Sequence, residues 1–452
     1  VRPAARPGKA RSPAGNKAPE GRAARAAAVR LLSAVLDDHK PLDGLFDPAA
    51  GDPAYTRLEP RDRRLAHAIV ATALRRHGEI AAVLDALVDK RPRRAGALFR
   101  IMEVAAAQLL FMEVADHAAV SLALDLVGED RDARHFKGLA NAVLRRIARE
   151  RTTLLGGEDA ARLDTPAWLW DRWSAAYGEA ETRRIAAAHQ VEPSLDLTVK
   201  ADPAGWAERL GGVVLPTGTV RLVPSGPVDA LPGFAEGAWW VQDAAAALPA
   251  RLLGEVAGRQ VADLCAAPGG KTAALAAAGA NVTAVDISAA RLERLAANLA
   301  RLGLRAETVA ADILAWEPPA PFDAILLDAP CTATGTIRRH PDIAWLKRPG
   351  DVAALAELQA QMLDRVVPWL KPGGTLVYCT CSLEPEEGED QAARLRARTD
   401  LVPVPVEAAE IGGLAEAVTA EGCVRTLPSH LAMATPRLSG LDGFFIARFR
   451  KR

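Results

Sequence analysis

Cysteine is scarce: five in 452 residues cannot staple a chain of this length into a disulfide framework. Long apolar runs are missing too, since no stretch approaches the ~18 residues needed to span a bilayer. The opening residues are rich in Arg and Pro and lack an apolar core segment, so they do not read as a secretory signal. Net charge is also absent, with 56 Lys and Arg against 56 Asp and Glu. This excludes a strongly basic, RNA-coating protein but leaves RNA binding through segregated charge open. Charge is segregated at the start, where Arg2, Arg6, Lys9, Arg11, Lys17, Arg22 and Arg25 stand against Glu20 alone. With Pro and Ala between them, residues 1–21 read as a disordered basic tail, whose plainest reading is a solvated extension. These absences together point to a reduced, cytoplasmic protein. The abundance of Ala, Arg and Gly fits a GC-rich genome and carries no function.

Apolar residues are plentiful, at 50%, and 452 residues imply two or three domains. Over 22–150 the apolar positions recur at helical spacing: Ala28, Leu31, Leu32, Val35 and Leu36, then Leu65, Ile69, Val70 and Leu74. Further periodic runs at 79–89, 95–113, 116–127 and 135–149 complete an all-α domain. Residues 151–250 read as a linker of two helices followed by a small α+β subdomain. Trp168, Trp170, Trp173 and Tyr177 on the helices suit core packing, and LDLTVK, VVLPTGTVRLVP and AWWVQ are short β-like runs. Over 251–452 the texture alternates. Strand-like runs at 260–264, 281–285, 306–310, 323–327 and 374–380 enclose helical runs at 271–279, 289–302 and 351–370. That alternation predicts a mostly parallel, doubly wound α/β sheet of Rossmann-like type.

In such a sheet ligands bind at the carboxyl ends of the strands. The first run leads into Cys265-Ala266-Ala267-Pro268-Gly269-Gly270-Lys271-Thr272 and then a helix. Small residues and paired glycines let the backbone approach a ligand closely. A dinucleotide fingerprint is absent, and Cys265 stands where a P-loop needs Gly. The second run ends on Asp286, about twenty residues past the glycine loop, where an acid suits a ribose diol. The third ends on Asp312, where a carboxylate can accept from an adenine amine, and the fourth on Asp328. One strand-end acid alone suits a helix cap or turn. Acids at three successive strand ends describe a site for a nucleoside carrying a small charged group.

Cys331 follows the fourth run and Cys381 closes the fifth. If those strands are neighbours, both thiols face one cleft. A thiolate adding at C6 of cytosine makes C5 nucleophilic enough to accept a methyl group, and a second group must then take the C5 proton. A single cysteine at a strand end suits a buried small hydrophobe, but a pair in Pro-Cys and Thr-Cys-Ser suits this chemistry. Cys379 and Cys381 lack the second ligand pair a zinc site requires, so no metal is expected. Cys265, Cys379 and Cys423 read as structural.

Three segments carry a family resemblance: Cys265–Thr272, DAPCTATGTIRRHPDIAW from Asp328 to Trp345, and Thr380-Cys381-Ser382. They closely resemble the bacterial Sun/RsmB ribosomal RNA cytosine-5 methyltransferases, and the likeness covers most of the chain. FKGLANAVLRRI at 136–147 resembles the NusB-type RNA-binding domain these enzymes carry at the N-terminus. The middle section is similar to their helical linker and RNA-recognition-like subdomain. The resemblance implies S-adenosyl-L-methionine as cofactor, with its methionine end on Cys265, Ala266, Ala267, Pro268, Gly269, Gly270 and Lys271. It implies ribose on Asp286, adenine near Asp312, and Asp328 between cofactor and target base. Cys381 becomes the nucleophile and Cys331 the residue that assists release. Thr332 replaces the family's usual Ser and keeps the hydroxyl. Cys379 stands where Ala is common. The implied partner is small-subunit ribosomal RNA, with no membrane, metal or obligate protein partner. Transfer RNA as substrate, or an RNA-binding factor with an inactive methyltransferase domain, remain the alternatives. Arg338, Arg339 and Lys347 are expected either to meet phosphates or to form a solvated basic loop.

Overall fold

The computed structural model describes residues 20–48, 50–156, 159–223 and 226–452. Arg2, Arg6, Lys9, Arg11 and Lys17 of the expected basic tail lie outside them. Contacts divide the chain into two units, Val1–Ala73 with Val83–Gly156, and Leu74–Ala82 with Gly157–Arg452.

The first unit is helical. In the helix Arg22–Leu36, Ala28, Leu31, Leu32 and Val35 are buried, as their spacing predicts. The helix Leu98–Phe111 buries nearly every residue from Leu98 to Leu109 and packs against Arg22–Leu36, Asp116–Glu129 and Lys137–Leu155. Its all-round apolar character is that of a central helix. The one carboxylate it buries, Glu103, is held by Arg100 Nη1 at 2.6 Å.

The second unit begins before its main span. Leu74–Ala82 belongs to it through contacts far along the chain. Trp345 Nε1 donates to Leu74 O at 2.9 Å, Arg75 Nε to His189 O at 3.1 Å, and the Glu79 amide to Asp164 Oδ1 at 3.0 Å. Two helices, Ala167–Tyr177 and Glu179–His189, follow. Trp173 is buried among Leu169, Ile185, Ile337 and Leu383, so this aromatic belongs to the core.

A small antiparallel sheet comes next, built from β1 (Leu195–Val199), β2 (Val213–Val214), β3 (Val220–Leu222) and β4 (Trp239–Val241) in the order β2-β3-β1-β4. The short helix Pro203–Leu210 covers it through Ala207, against Leu197, Val220 and Trp239. Asp196 and Arg221 face each other across β1 and β3 and are fully buried, with Nε 2.6 Å from Oδ1.

The large sheet contains β5 (Gln260–Leu264), β6 (Asn281–Asp286), β7 (Glu307–Ala310), β8 (Phe322–Asp328), β9 (Leu370–Thr380), β10 (Leu401–Pro403), β11 (Val424–Thr426) and β12 (Phe444–Lys451). Its order is β10-β12-β9-β8-β5-β6-β7, with β11 on β12. From β9 to β7 the pairing is parallel, while β10, β11 and β12 are antiparallel. Both faces are covered, with Leu248, Leu275 and Phe444 on one and Leu363, Val366 and Trp369 on the other. Chain order reverses between β5 and β8. That switch point opens a crevice at the carboxyl ends of both strands.

Candidate active site

The loop leaving β5 enters the crevice. Its first residue, Cys265, takes a left-handed conformation at φ 61°, and the chain turns sharply before the helix Gly270–Ala277. Gly269 has φ 102°, and a Cβ there would stand 2.7 Å from Leu295 Cγ, so the loop lies directly on the helix Ala289–Arg301. A side chain fits neither the backbone nor the space. Asp286, at the end of β6, ties the loop down: one carboxylate oxygen accepts from the Ala267 amide at 3.1 Å, the other from the Ser288 amide at 3.0 Å. Arg291 Nη1 lies 3.5 Å from the same carboxylate. Asp312 is exposed beyond β7 and accepts from the Leu314 amide at 2.9 Å, which closes a turn.

Asp328 ends β8 beside this loop. Lys271 Nζ donates to its Oδ2 at 2.7 Å, and Cys379 Sγ lies 3.4 Å from its Oδ1. Burial opposes the Lys271 charge, but Asp328 and the nearby thiols Cys379 and Cys381 more than offset it and hold the ammonium above its ordinary range. Burial, then Asp328, push the Cys379 thiol well up.

β8 and β9 are neighbours, with Asp328 opposite Cys379. The chain beyond β8 stays on β9: the Ala329 amide donates to Cys379 O and the Gly335 amide to Cys381 O, each at 3.0 Å. Cys331 and Cys381 therefore meet, their sulfurs 3.4 Å apart. The hydrogen bond with Cys381, followed by burial, raises the Cys331 thiol well above its usual range.

Beneath the pair lies a carboxylate that sequence reading missed. Glu387 is buried and accepts from the Thr332 amide at 2.9 Å, Thr332 Oγ1 and Ser382 Oγ at 2.5 Å each, and Gln359 Nε2 at 3.1 Å. It thus fastens the residue after each cysteine. The Thr332 hydroxyl, expected only to be retained, is fully engaged. The only available signal was the acid run after Ser382, which looks like a solvated face. Asp263 was missed as well. It sits inside β5, accepts from Thr272 Oγ1 at 2.5 Å, and among the described residues has no partner for Oδ1. Burial raises it to about 7. An acid within the apolar run Val261–Leu264 was the legible clue.

Arg338 and Arg339, expected to meet phosphates or to form a solvated basic loop, do neither: both are turned inward onto aspartates. Arg338 is 3% exposed, with Nε 2.6 Å from Asp442 Oδ1 and Nη2 2.6 Å from Asp243 Oδ2. Arg339 bonds to Asp243, Asp442 and Ser194 O. Low dielectric strengthens such pairs and forbids unpaired charge, so buried arginines spend their donors on aspartates.

The profile described as "16S rRNA methyltransferase RsmB/F" matches residues 250–450. The ribosomal RNA small subunit methyltransferases B of Salmonella paratyphi B and Salmonella typhi are each 38% identical over 394 residues, which is 83% of this chain and 90% of theirs. The chain belongs to the 16S rRNA methyltransferase RsmB/F family. Residues 22–149 match the NusB family. The crystal structure of PH0851 is 23% identical and shares the fold at TM-score 0.70, covering 95% of this chain and 99% of its own. A methyltransferase homologue from Pyrococcus horikoshii, 29% identical, covers 65% of this chain and 98% of its own at TM-score 0.54.

As an RsmB/F-family member the chain is an S-adenosylmethionine-dependent methyltransferase. The crevice fits that cofactor. The loop lies where Gly269 admits no Cβ, Gly270 opens a helix N-terminus, and the carboxylates of Asp286 and Asp328 end β6 and β8, the two strands that flank β5. No helix among the described residues is long and apolar enough to cross a membrane.

Proposed function

We propose that this enzyme methylates C5 of a cytosine in small-subunit (16S) ribosomal RNA, in the cytoplasm, through a covalent bond between Cys381 and C6. The 3.4 Å approach of Cys331 and Cys381 beside the glycine loop carries the reading. S-adenosylmethionine supplies an electrophilic methyl group. Cys381, as thiolate, adds to C6, and the C6–S bond leaves electron density at C5, which takes the methyl. C5 then bears both methyl and hydrogen, and its proton must go to a base before the C6–S electrons return to sulfur. Cys331 is that base. Its sulfur lies 3.4 Å from that of Cys381, and so beside the carbon next to C6 once the adduct has formed. Cys331 gives its own proton to solvent and, as thiolate, takes the one from C5.

The chain's other residues position the reactants. Cys265–Lys271 cradle the methionine end, Asp286 binds the ribose and Asp312 faces the adenine. Asp328, fixed by Lys271, stands between cofactor and base. Residues 22–150 and the small sheet within 151–250 supply RNA contacts remote from the chemistry. Bisulfite sequencing of RNA from cells with and without the gene tests the whole reading. One protected cytosine in small-subunit ribosomal RNA should vanish with the gene; loss from transfer RNA instead would move the substrate, and no loss would end the reading.

The cofactor assignment has its own test. Asp286→Ala should weaken S-adenosylmethionine binding by about 1–3 kcal/mol, the scale for hydrogen bonds to a charged group. The loss has two sources, because the same carboxylate binds the cofactor and holds the Ala267 amide. Calorimetry that shows unchanged affinity in the folded variant removes Asp286 from the site.

A further inference from the structure

A cavity of about 330 Å³ opens between the end of the helix Glu179–His189 and the segment 428–440. Its size is at the lower end for a small-ligand pocket. None of Cys265–Lys271, Asp286, Asp328, Cys331 or Cys381 lines it. Its walls are mainly apolar, with Ala187, Val191, Pro428 and Met433 among them; Arg338 and Gly440 also line it, and Arg184 and Glu192 stand at its edge. Arg338 Nε and Nη2 are taken by Asp442 and Asp243, but Nη1 has no hydrogen bond among the described residues. That nitrogen stands beside the cavity lining, since a Cβ built on Gly440 would be 3.3 Å from it. The cavity therefore contains an unspent donor on a side chain that is 97% buried, being 3% exposed.

Charge decides what that donor wants. Arg221, Arg338 and Arg339 are matched by Asp196, Asp243 and Asp442 in one buried network. At the rim, Arg184 is paired with Glu181 and Glu192 with Arg437. A phosphate would have to give up its water against apolar walls for a single N–H donor, a cost that one hydrogen bond does not offset. A neutral carbonyl on a flat, apolar-faced ring satisfies both the donor and the walls. Nucleobases have that form, and arginine N–H groups bond readily to their carbonyl and ring-nitrogen acceptors. RNA is read mainly through unpaired bases splayed into protein pockets.

We propose that this cavity holds an unpaired nucleobase of the RNA substrate, outside the target cytosine, with its carbonyl on Arg338 Nη1. The inference rests on the RNA-methylating reading above. Arg338 lies in the same β8–β9 connection as Cys331, so a base seated here would bring the strand past the catalytic pair.

Ala187→Trp and Ala432→Trp fill the cavity from exposed positions and leave its buried network intact. Filter binding of a 16S ribosomal RNA transcript should give dissociation constants about tenfold higher for each variant, the scale of one lost base contact. Calorimetric affinity for S-adenosylmethionine should be unchanged. Transcript carrying 4-thiouridine or 6-thioguanosine should crosslink to the peptide containing Met433 in the native protein. If the native protein methylates the transcript and both variants bind it as tightly as the native, the cavity is not a base site. If the native protein binds the transcript and the variants bind it weakly, but no methyl group is transferred, the base site stands and the functional reading fails. A native protein that binds no RNA overturns both.

Discussion

Cys331→Ala should form a covalent complex with its RNA and keep it, whereas Cys381→Ala should form none. Cys381 makes the bond to C6, so its loss removes catalysis and adduct together. Serine offers no rescue, because a hydroxyl is almost wholly protonated near neutral pH whereas a thiol is partly ionised. Cys331 acts after methyl transfer. Without it the adduct forms, the methyl moves, and the C5 proton has no acceptor, so release stalls. The complex should survive denaturing electrophoresis and should require S-adenosylmethionine. The structure makes this test clean, since the two sulfurs touch and truncating Cys331 leaves the strand pairing that carries Cys381 untouched. A persistent band from Cys381→Ala alone would reverse the roles. Two active variants with no band from either would eliminate covalent catalysis.

Glu387→Ala should cost about 3 kcal/mol of stability and reduce kcat/KM about a hundredfold. Four donors converge on this carboxylate, from Thr332, Ser382 and Gln359. Leaving a buried donor unmade costs about 1–3 kcal/mol, and neighbours in one network do not add. The loss of activity has a separate cause. Thr332 and Ser382 directly follow the two cysteines, and misplacing a reacting group by about 1 Å costs on the order of a hundredfold. Glu387→Gln should fall between, since its carbonyl oxygen still accepts while its amide meets donors. Denaturant unfolding and single-turnover methylation measure the two effects. Native stability in Glu387→Ala would show that the network does not hold the loops. Cofactor affinity should be nearly unchanged, because among the described residues the Glu387 carboxylate bonds to Thr332, Ser382 and Gln359 and not to the Cys265–Lys271 loop.

Features that depend on a few consecutive residues were legible in the chain before it folded. The helical period of Ala28, Leu31, Leu32 and Val35, the strand–helix alternation after residue 258, and the acids closing the second and fourth strands are local patterns that appear in the fold, whereas Asp312 falls in a turn beyond β7 and does not close it. The glycine loop was legible for the same reason, as Gly269 has no room for a side chain. Tertiary structure decided everything that needs a distant partner. β12 was not foreseen, because its place beside β9 depends on residues some seventy positions earlier. Leu74–Ala82 reads as the end of one helix and the start of the next, yet its hydrogen bonds run to residues beyond 160. Arg338 and Arg339 look like a basic loop until Asp243 and Asp442 are brought to them. The meeting of Cys331 with Cys381 was conditional on β8 and β9 being neighbours, and Glu387 stands in an acid run that looks solvated until Thr332, Ser382 and Gln359 are brought to it. Periodicity reports which face of an element is apolar. It does not report which charges will be buried against one another, because burial of a charge is settled only when both partners leave water together.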